Sequence, residues 1–218
     1  MDKEMLVFRK DRDIYNIKVS DIVCIERRKS VVWVRMSDGT FLELSNTSLV
    51  KILQNTSSDK LQQCGRSAII NRDYIYAVDP GNHFVILRYG LGTLELGVYF
   101  KDGILAGLAD RDDEFLLRID NIRYVIREQD FLYAKNAKRV LHVYMKDGNE
   151  FLVSQKPIDF ILRQINSKRI IRCARGVLVN CGYIRNVDAD KRQLRLINGE
   201  ELAIGSSYLE HFCPEIKG

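Results

Sequence analysis

Residues 31–44 read VVWVRMSDGTFLEL, the clearest strand-turn-strand pattern in the chain. Apolar and polar side chains alternate with the two-residue period of a half-buried strand, and the run is rich in β-branched and aromatic residues. The Asp38-Gly39 pair is a strong turn signal, because glycine accepts the positive φ that tight hairpin turns require. The stretch therefore predicts a β-hairpin with strands over Val31–Met36 and Phe41–Leu44.

The same hairpin occurs twice. Residues 140–153 read VLHVYMKDGNEFLV, 109 positions further along the chain. Roughly a quarter of the aligned positions are identical, and the offset does not slip over a long stretch, which chance would not produce. The identical pairs include Asp21 and Asp130, Cys64 and Cys173, Arg66 and Arg175, Asn71 and Asn180, and Tyr74-Ile75 and Tyr183-Ile184.

The duplication predicts two domains, over residues 1–108 and 115–218. A one-residue gap in the hairpin around Leu91–Thr93 aligns Gly97 with Gly205, and hairpin tips tolerate such gaps. The acidic stretch 109–114 between the copies is short, so we expect the two domains to be held close together.

Each copy contains further predicted strands and one predicted short helix. The helices span Ser48–Gln54, where Ser48 suits an N-cap, and Pro157–Ile165, where Pro157 suits the first helical position. The strands lie around Arg66–Ile70, Tyr74–Val78, Arg175–Val179 and Tyr183–Val187, followed in each copy by a closing hairpin, which turns at Asn198-Gly199 in copy two. The regular turns and the lack of long amphipathic helices predict a mainly β protein whose antiparallel sheets pack as sandwiches, with one short helix per domain.

Composition excludes few function classes. The chain has 218 residues, 46% of them hydrophobic, and a net charge of +5 that is shared by both halves, which is compatible with nucleic-acid binding without requiring it. The charged start and the absence of a long apolar run indicate neither a signal peptide nor a membrane span. Five cysteines without a CxxC pair indicate reduced thiols, and hence the cytoplasm.

No motif indicates an enzyme. The sequence has no GxSxG elbow, no Gly-rich loop followed by Lys and Ser or Thr, and no Cys-His pairing that recurs in both copies. His83, His142 and His211 are far apart and have no partner at ligand spacing, so we expect no metal and no cofactor. Cys64 and Cys173 are interpreted as buried structural thiols rather than redox sensors.

The order of motifs resembles the LytTR family of bacterial DNA-binding domains, and both copies match over nearly the whole chain. The residues that carry the resemblance in copy one are Asp21-Ile22, Ile25-Glu26, Asp38-Gly39, Arg66-Ser67, Asn71 and Tyr74-Ile75. In copy two they are Asp130, Tyr133, Asp147-Gly148, Arg172-Cys173, Arg175, Val179-Asn180 and Tyr183-Ile184. The resemblance implies a three-sheet β fold whose loops enter successive major grooves of promoter DNA, and a role in regulating transcription.

The chain departs from the family pattern at two places. Gln63, Gly65 and Ser67 in copy one, and Arg172, Ala174 and Gly176 in copy two, replace the family's Arg-x-His-x-Ser. Late in each unit the family places an arginine, whereas this chain has Gly97-Val98-Tyr99 and Gly205-Ser206-Ser207. A hydroxyl donates to phosphate but does not make the bidentate guanine contact of an arginine.

The resemblance places candidate DNA contacts in three segments of each copy, here named the first loop (residues 27–30 and 135–139), the middle turn (66–67 and 175–176) and the late loop (97–99 and 205–207). The candidates in these segments are Arg27, Arg28, Lys29, Ser30, Arg66 and Tyr99 in copy one, and Lys135, Lys138, Arg139, Arg175, Ser206 and Ser207 in copy two. Arg172, shortly before the middle turn of copy two, is a further candidate. The alternatives are a solvated basic tip for the first loop and a structural ion pair for Arg66 and Arg175. Asn71 and Asn180 are interpreted as structural turn caps.

Two functions remain open from the sequence. The favoured hypothesis is a transcriptional regulator without a receiver domain, since nearly every residue belongs to one copy or the other. Its tandem domains would bind adjacent directly repeated half-sites in double-stranded DNA, as a monomer with an internal pseudo-dimer or as a homodimer. Regulation would come from the abundance of the chain, from a regulatory protein partner or from a ligand. The rival hypothesis is a degenerate protein-interaction module that has lost DNA binding, and copy one is the more altered copy.

Overall fold

The computed structural model describes residues 4–10, 12–45, 47–109 and 111–212. Cys213 lies outside the described residues. Contacts between residues divide the chain into one unit of Met1–Leu108 with Asp120–Tyr124, and a second unit of Ala109–Ile119 with Val125–Gly218.

Strands dominate the described part of the first copy. Its elements are β1 (Met5–Lys10), β2 (Asp13–Lys18), β3 (Ile22–Arg28), β4 (Val31–Met36), β5 (Phe41–Leu44), α1 (Leu49–Asn55), β6 (Leu61–Gly65), β7 (Ala68–Asn71), β8 (Ile75–Asp79), β9 (Phe84–Leu87), β10 (Thr93–Glu95) and α2 (Lys101–Ala109). β1 and β2 form a hairpin, β5-β4-β3-β7-β6 form a five-stranded sheet, and β8, β9 and β10 form a third sheet. In the same unit, Arg123 and Tyr124 pair with Val78 and Ala77 of β8.

The second copy repeats this architecture. Its elements are β11 (Glu114–Ile119), β12 (Ile122–Arg127), β13 (Phe131–Ala137), β14 (Val140–Met145), β15 (Glu150–Ser154), α3 (Asp159–Leu162), β16 (Ile170–Ala174), β17 (Val177–Asn180), β18 (Ile184–Asp188), β19 (Gln193–Leu196) and β20 (Glu201–Ala203). A five-stranded sheet in the order β15-β14-β13-β17-β16 accompanies a three-stranded sheet, β18-β19-β20. The pairings within both sheets are antiparallel, which confirms the predicted mainly β fold.

The central strand of each copy is covered on both faces. Ile22, Val23, Cys24 and Ile25 are successive residues of β3 and all are fully buried, as in a strand packed between two layers. In copy one, Leu6 and Phe8 of β1 and Leu49 and Ile52 of α1 pack on one face of the sheet. In copy two, the opposite face packs against Leu194 and Leu196 of β19 and Leu202 of β20. Each copy is therefore a layered β structure with its own core.

The predicted hairpin turns are confirmed. Gly39 and Gly148 have φ of 87° and 90°, and the Asp38 carboxylate accepts a hydrogen bond from the Thr40 N–H at 2.9 Å. Gly199, in the Asn198-Gly199 turn, has φ of 89°. The one-residue gap falls between the end of β9 and the start of β10, in the hairpin loop, as the alignment predicted.

The helices differ from the predictions in part. α1 is confirmed, and the Ser48 hydroxyl caps it by accepting a hydrogen bond from the Lys51 N–H at 3.3 Å. α3 is shorter than predicted and begins at Asp159, two residues after Pro157. α2 was not predicted. It buries Ile104 and Leu108, which lie four residues apart on one helix face, and this burial stabilises a segment whose two glycines disfavour a helix.

The strands predicted around Arg66–Ile70 and Arg175–Val179 are present, but each begins two residues later than predicted. β7 begins at Ala68 and β17 at Val177, so both arginines lie in the turns that precede these strands. None of the helices in the described ranges is long and apolar enough to cross a membrane.

Candidate nucleic-acid interface

Two buried asparagines hold the central strands in place. The Asn71 side-chain amide donates hydrogen bonds to the carbonyl oxygens of Val19 and Ile22, at 2.9 and 2.8 Å, and Asn71 is fully buried. Asn180 donates in the same way to Glu128 and Phe131. Each asparagine also accepts the backbone N–H two residues later. The structural role predicted for both is confirmed.

Backbone hydrogen bonds bring the three segments of copy one together. The Arg27 N–H donates to the Ser67 carbonyl at 2.8 Å, which joins the first loop to the middle turn. The Gly97 N–H donates to the Cys64 carbonyl at 2.8 Å, which joins the late loop to the strand before that turn. As a result, Arg27, Arg66 and Tyr99 line one cleft of about 370 Å³.

Copy two has the same scaffold. The Asn136 N–H donates to the Gly176 carbonyl at 2.9 Å, and the Gly205 N–H donates to the Cys173 carbonyl at 2.8 Å. These bonds join residues equivalent to those of copy one. The two copies therefore share the backbone that presents the three segments, even where their side chains differ.

The first glycine of the late loop is required by close packing. A Cβ atom at Gly97 would lie 2.8 Å from Cδ2 of Phe100 and 3.3 Å from Cα of Gly65. At Gly205 a Cβ atom would lie 3.1 Å from Cδ2 of Tyr208. The Gly-x-x-aromatic motif is thus a packing motif, in which the aromatic ring covers a glycine that lies against the end of the five-stranded sheet.

The first loop of copy one presents its cations to solvent. Arg27, Arg28, Lys29 and Ser30 are all exposed, and Lys29 has φ of 57° at the tip of the turn. Arg28 forms an ion pair with Glu26 at 2.9 Å, and its side chain is 60% exposed. An exposed pair of this kind contributes about 0–1 kcal/mol, so it does not prevent Arg28 from turning to a phosphate.

The first loop of copy two divides its cations between solvent and the sheet surface. Lys138 and Arg139 are exposed and have φ of 50° and 67°. The Lys135 ammonium instead lies over the rings of Tyr133 and Tyr144, at 5.7 and 5.1 Å from their centroids, in cation–π geometry. Of the three cations in this loop, only Lys138 and Arg139 are fully exposed to a partner.

The middle turns present Arg66 and Arg175 to solvent. Neither arginine forms an ion pair with any residue that the structure describes, so the alternative of a structural ion pair is not supported. Arg172 behaves differently, because its guanidinium pairs with Asp159 and Nη1 also donates to the Arg175 carbonyl at 2.8 Å. A contact of Arg172 with DNA stays a prediction. In the structure, its hydrogen bond to the Arg175 carbonyl stabilises the turn that contains Arg175.

The late loops of the two copies differ in chemistry. In copy one, Val98 and Tyr99 are 62% and 86% exposed. In copy two, Ser206 and Ser207 take these places and are also exposed. An apolar and aromatic tip in one copy therefore corresponds to a pair of hydroxyls in the other.

Comparison with known proteins identifies the family. The model of the LytTr DNA-binding domain matches residues 12–93 and 115–216. The chain belongs to the LytTR family. A solved structure described as the LytTr DNA-binding domain of a putative methyl-accepting/DNA response regulator from Bacillus cereus is similar to it, with 16% identity, a TM-score of 0.41, and coverage of 48% of this chain and 96% of that one. No curated protein matches the chain.

Family membership supplies the general function. The family is one of DNA-binding domains and not of enzymes, so membership implies a DNA partner and a role in regulating transcription. In the described part of the LytTR chain, no cluster of three or more His, Cys, Asp or Glu side chains is arranged to hold a metal ion.

The cysteines of the LytTR core are poorly reactive. Burial raises the pKa of Cys64 and Cys173 to about 12, and the pKa of the Cys24 thiol is raised in the same way. A thiol with such a pKa holds almost no thiolate at neutral pH, and the thiolate is the form that reacts with oxidants. This environment supports the structural interpretation of the two aligned cysteines.

Sequence reasoning missed Arg192. Its Nη1 donates a hydrogen bond to the Ser206 hydroxyl at 2.8 Å, although the two residues are 14 positions apart. The preceding strands and turns carry no motif that marks this arginine. In the sequence, Arg192 aligns with His83, which precedes β9 in copy one by one residue. This alignment indicates that Arg192 lies in a turn but does not indicate its hydrogen-bond partner.

Proposed function

We propose that this chain regulates transcription by binding two adjacent half-sites in promoter DNA, one with each LytTR copy. The observation that supports this most strongly is the repeated scaffold, in which the same two backbone hydrogen bonds join three exposed segments in each copy. Arg27, Arg28, Lys29 and Arg66 supply cations in copy one, and Lys138, Arg139 and Arg175 supply them in copy two. Cations on loops of one surface are the chemistry that contacts phosphates and base edges.

Covalent linkage of the two copies supports a tandem mode of binding. Once one copy is bound, the effective concentration of the other at a neighbouring half-site reaches roughly the millimolar range that short tethers produce. Copies in the same chain order most simply bind directly repeated half-sites, with centres a near-integral number of helical turns apart. The chain would then act as a monomer with an internal pseudo-dimer.

The rival function is a protein-interaction module, and the surface that supports it is that of copy one. Its cleft includes the carboxylates of Glu26 and Glu95 as well as the exposed Val98 and Tyr99. Carboxylates repel phosphates, and exposed apolar side chains are typical of surfaces that bind proteins. In this alternative the chain has lost DNA binding and binds a regulatory protein instead, with copy one as the more altered copy.

A footprint of the intact chain on its own upstream DNA tests the tandem proposal. Two protected half-sites in direct repeat on one face of the helix are expected. One protected half-site only, or half-sites on opposite faces, would contradict the tandem mode. Retention of a protein partner without any DNA shift would favour the rival.

The first loop is tested by a salt titration of DNA binding. Replacing Arg27, Arg28 and Lys29 by alanine removes three cations, and each phosphate that is no longer neutralised reduces the steepness of log K against log salt by about 0.9. The matched control replaces Lys51, Arg163 and Lys168, which are exposed and lie outside the three segments. Equal slopes for the two triple variants would contradict the assignment of the first loop.

A further inference from the structure

Arg192 and Ser206 form a side-chain pair on the surface of copy two. The Arg192 Nη1 donates to the Ser206 Oγ at 2.8 Å, and both side chains are exposed. Ser206 belongs to the late loop, one of the three segments through which we propose that copy two contacts DNA. The hydrogen bond therefore places an additional guanidinium at that loop.

The backbone fixes Arg192 next to the late loop. The Ile204 N–H donates to the Arg192 carbonyl at 2.7 Å, and the next residue, Gly205, is bonded to Cys173 at 2.8 Å. Arg192 itself has φ of 51°. A residue held in this left-handed conformation, with its carbonyl clamped to the strand that leads into the loop, has little freedom to move away from it. Arg192, the late loop and the end of β16 thus lie side by side.

Copy one has the same backbone and lacks the side-chain pair. His83 takes the place of Arg192 with φ of 60°, and the Leu96 N–H donates to its carbonyl at 2.7 Å. Val98, which offers no acceptor, takes the place of Ser206. The shared turn is therefore a property of the fold, whereas the guanidinium–hydroxyl pair is specific to copy two.

The neighbouring cations lie beside carboxylates, whereas Arg192 is bonded to a neutral hydroxyl. Arg195 bonds to the carboxylate of Glu201, at 3.0 Å from its Nε, and Lys191 lies 3.4 Å from Asp188. Arg192 pairs with no carboxylate among the described residues, and one N–H bonded to Ser206 leaves the remaining donors of its fork facing solvent. A neutral hydroxyl orients the guanidinium without cancelling its charge.

We propose that Arg192, oriented by Ser206, makes a guanine contact in the half-site of copy two, an inference that rests on the proposed DNA binding of the late loop. A guanidinium matches O6 and N7 of guanine with two parallel hydrogen bonds, and side chains held in place by a neighbouring hydrogen bond make such contacts selectively. Arg192 is thus a specificity-determining residue, and it gives copy two a base preference that copy one does not share.

The test begins with DNA selected by the intact wild-type chain from a randomised library. Affinity is then measured at one salt concentration for the wild type, Arg192→Ala, Arg192→Lys and the control Arg195→Ala, on the selected site and on each of its single-base variants. Arg192→Ala is expected to lose about 10- to 100-fold on the selected site and to become indifferent to the base at one guanine. Arg192→Lys should lose the same preference while keeping its charge, and Arg195→Ala should lose less than about threefold.

Substituting 7-deazaguanine at that position removes the N7 acceptor and provides a second readout. The wild type should bind the modified site more weakly than the unmodified site, whereas Arg192→Ala should bind both with the same affinity. Ser206→Ala, which changes no charge, should weaken the guanine preference in the same direction. Because Arg192 and Ser206 are exposed, the melting temperatures of these variants should equal that of the wild type.

The outcomes separate the two proposals. A wild-type chain that selects no DNA site would overturn both DNA binding by the late loop and the role of Arg192. In a second outcome the wild type selects a site, but Arg192→Ala loses affinity equally on every sequence and its salt slope is lower by about 0.9. Arg192 would then be a phosphate contact, and only the guanine assignment would be overturned. If Arg192→Ala bound the selected site with the affinity of the wild type, the guanine assignment would also be overturned.

Discussion

Replacing the buried Asn71 by alanine is expected to destabilise copy one strongly. The side chain makes three hydrogen bonds, to Val19, Ile22 and the Asp73 N–H, at 2.8–3.0 Å, and none of its surface reaches solvent. At about 1 kcal/mol for each buried hydrogen bond, the decrease in the free energy of unfolding is about 3 kcal/mol. For a domain of this size such a decrease lowers the melting temperature by roughly 10–20 °C.

Urea unfolding followed by tryptophan fluorescence measures this decrease, because Trp33 in β4 is the single tryptophan of the chain and belongs to copy one. The matched control is Asn82→Ala, which removes the same amide from an exposed turn where it bonds to Asp79 at 2.8 Å. Surface substitutions of this kind change stability by about 0.5 kcal/mol or less. If Asn71→Ala shifted the Trp33 transition no more than Asn82→Ala, the assignment of Asn71 as an anchor of the central strand would be refuted.

Three further predictions concern the geometry of the loops and the core. Gly97→Ala places a Cβ 2.8 Å from the Phe100 ring, so a DNA titration should show weaker binding than for the wild type. The control Gly103→Ala should bind like the wild type, because its Cβ meets only the flexible Gln62 amide, at 3.4 Å. Burial raises the pKa of Cys64 to about 12, so at pH 8 it should react with iodoacetamide about a thousandfold more slowly in the folded chain than in urea. Mass spectrometry follows the reaction, and comparable rates in the two states would contradict the burial of Cys64. Asp159→Ala removes the partner of Arg172 and frees the turn that carries Arg175, so the base preference of copy two should weaken in a selection experiment while copy one keeps its own.

Much of the fold could be predicted from the sequence because it depends on local chemistry. The alternation in Val31–Met36 is the pattern of a strand with one face more buried than the other, and the structure has the strand with the same bounds. The Asp-Gly turns were predicted because glycine alone adopts their φ without strain, and the Ser48 cap because its hydroxyl accepts a free N–H of the first turn. The helix α2 escaped prediction because its glycines disfavour it, and only the burial of Ile104 and Leu108 stabilises it.

The candidate site residues were chosen by resemblance and stay a prediction, and the structure gives their arrangement. The three segments could be named by resemblance, and the structure places Arg27, Arg66 and Tyr99 around one cleft. The pairing of Arg172 with Asp159 and the hydrogen bond of Arg192 to Ser206 were not predicted, because the residue pattern gives strands and turns but not the orientation of individual side chains. Arg66 was predicted at the edge of a strand and lies in the turn just before it.

By itself, the sequence determined that one β unit is written twice, where its hairpins turn, and which asparagines and cysteines are shared by both copies. These features depend on backbone preferences and on side-chain periodicity, both of which act over a few residues. Only the folded structure shows which cations lie beside a carboxylate, over an aromatic ring or against a hydroxyl. Ser206 lies 2.8 Å from a guanidinium 14 positions earlier because the hairpin of β19 and β20 brings its two ends together. The Asn198-Gly199 turn predicts that hairpin, but the contact between the two side chains depends on how each is oriented in the fold.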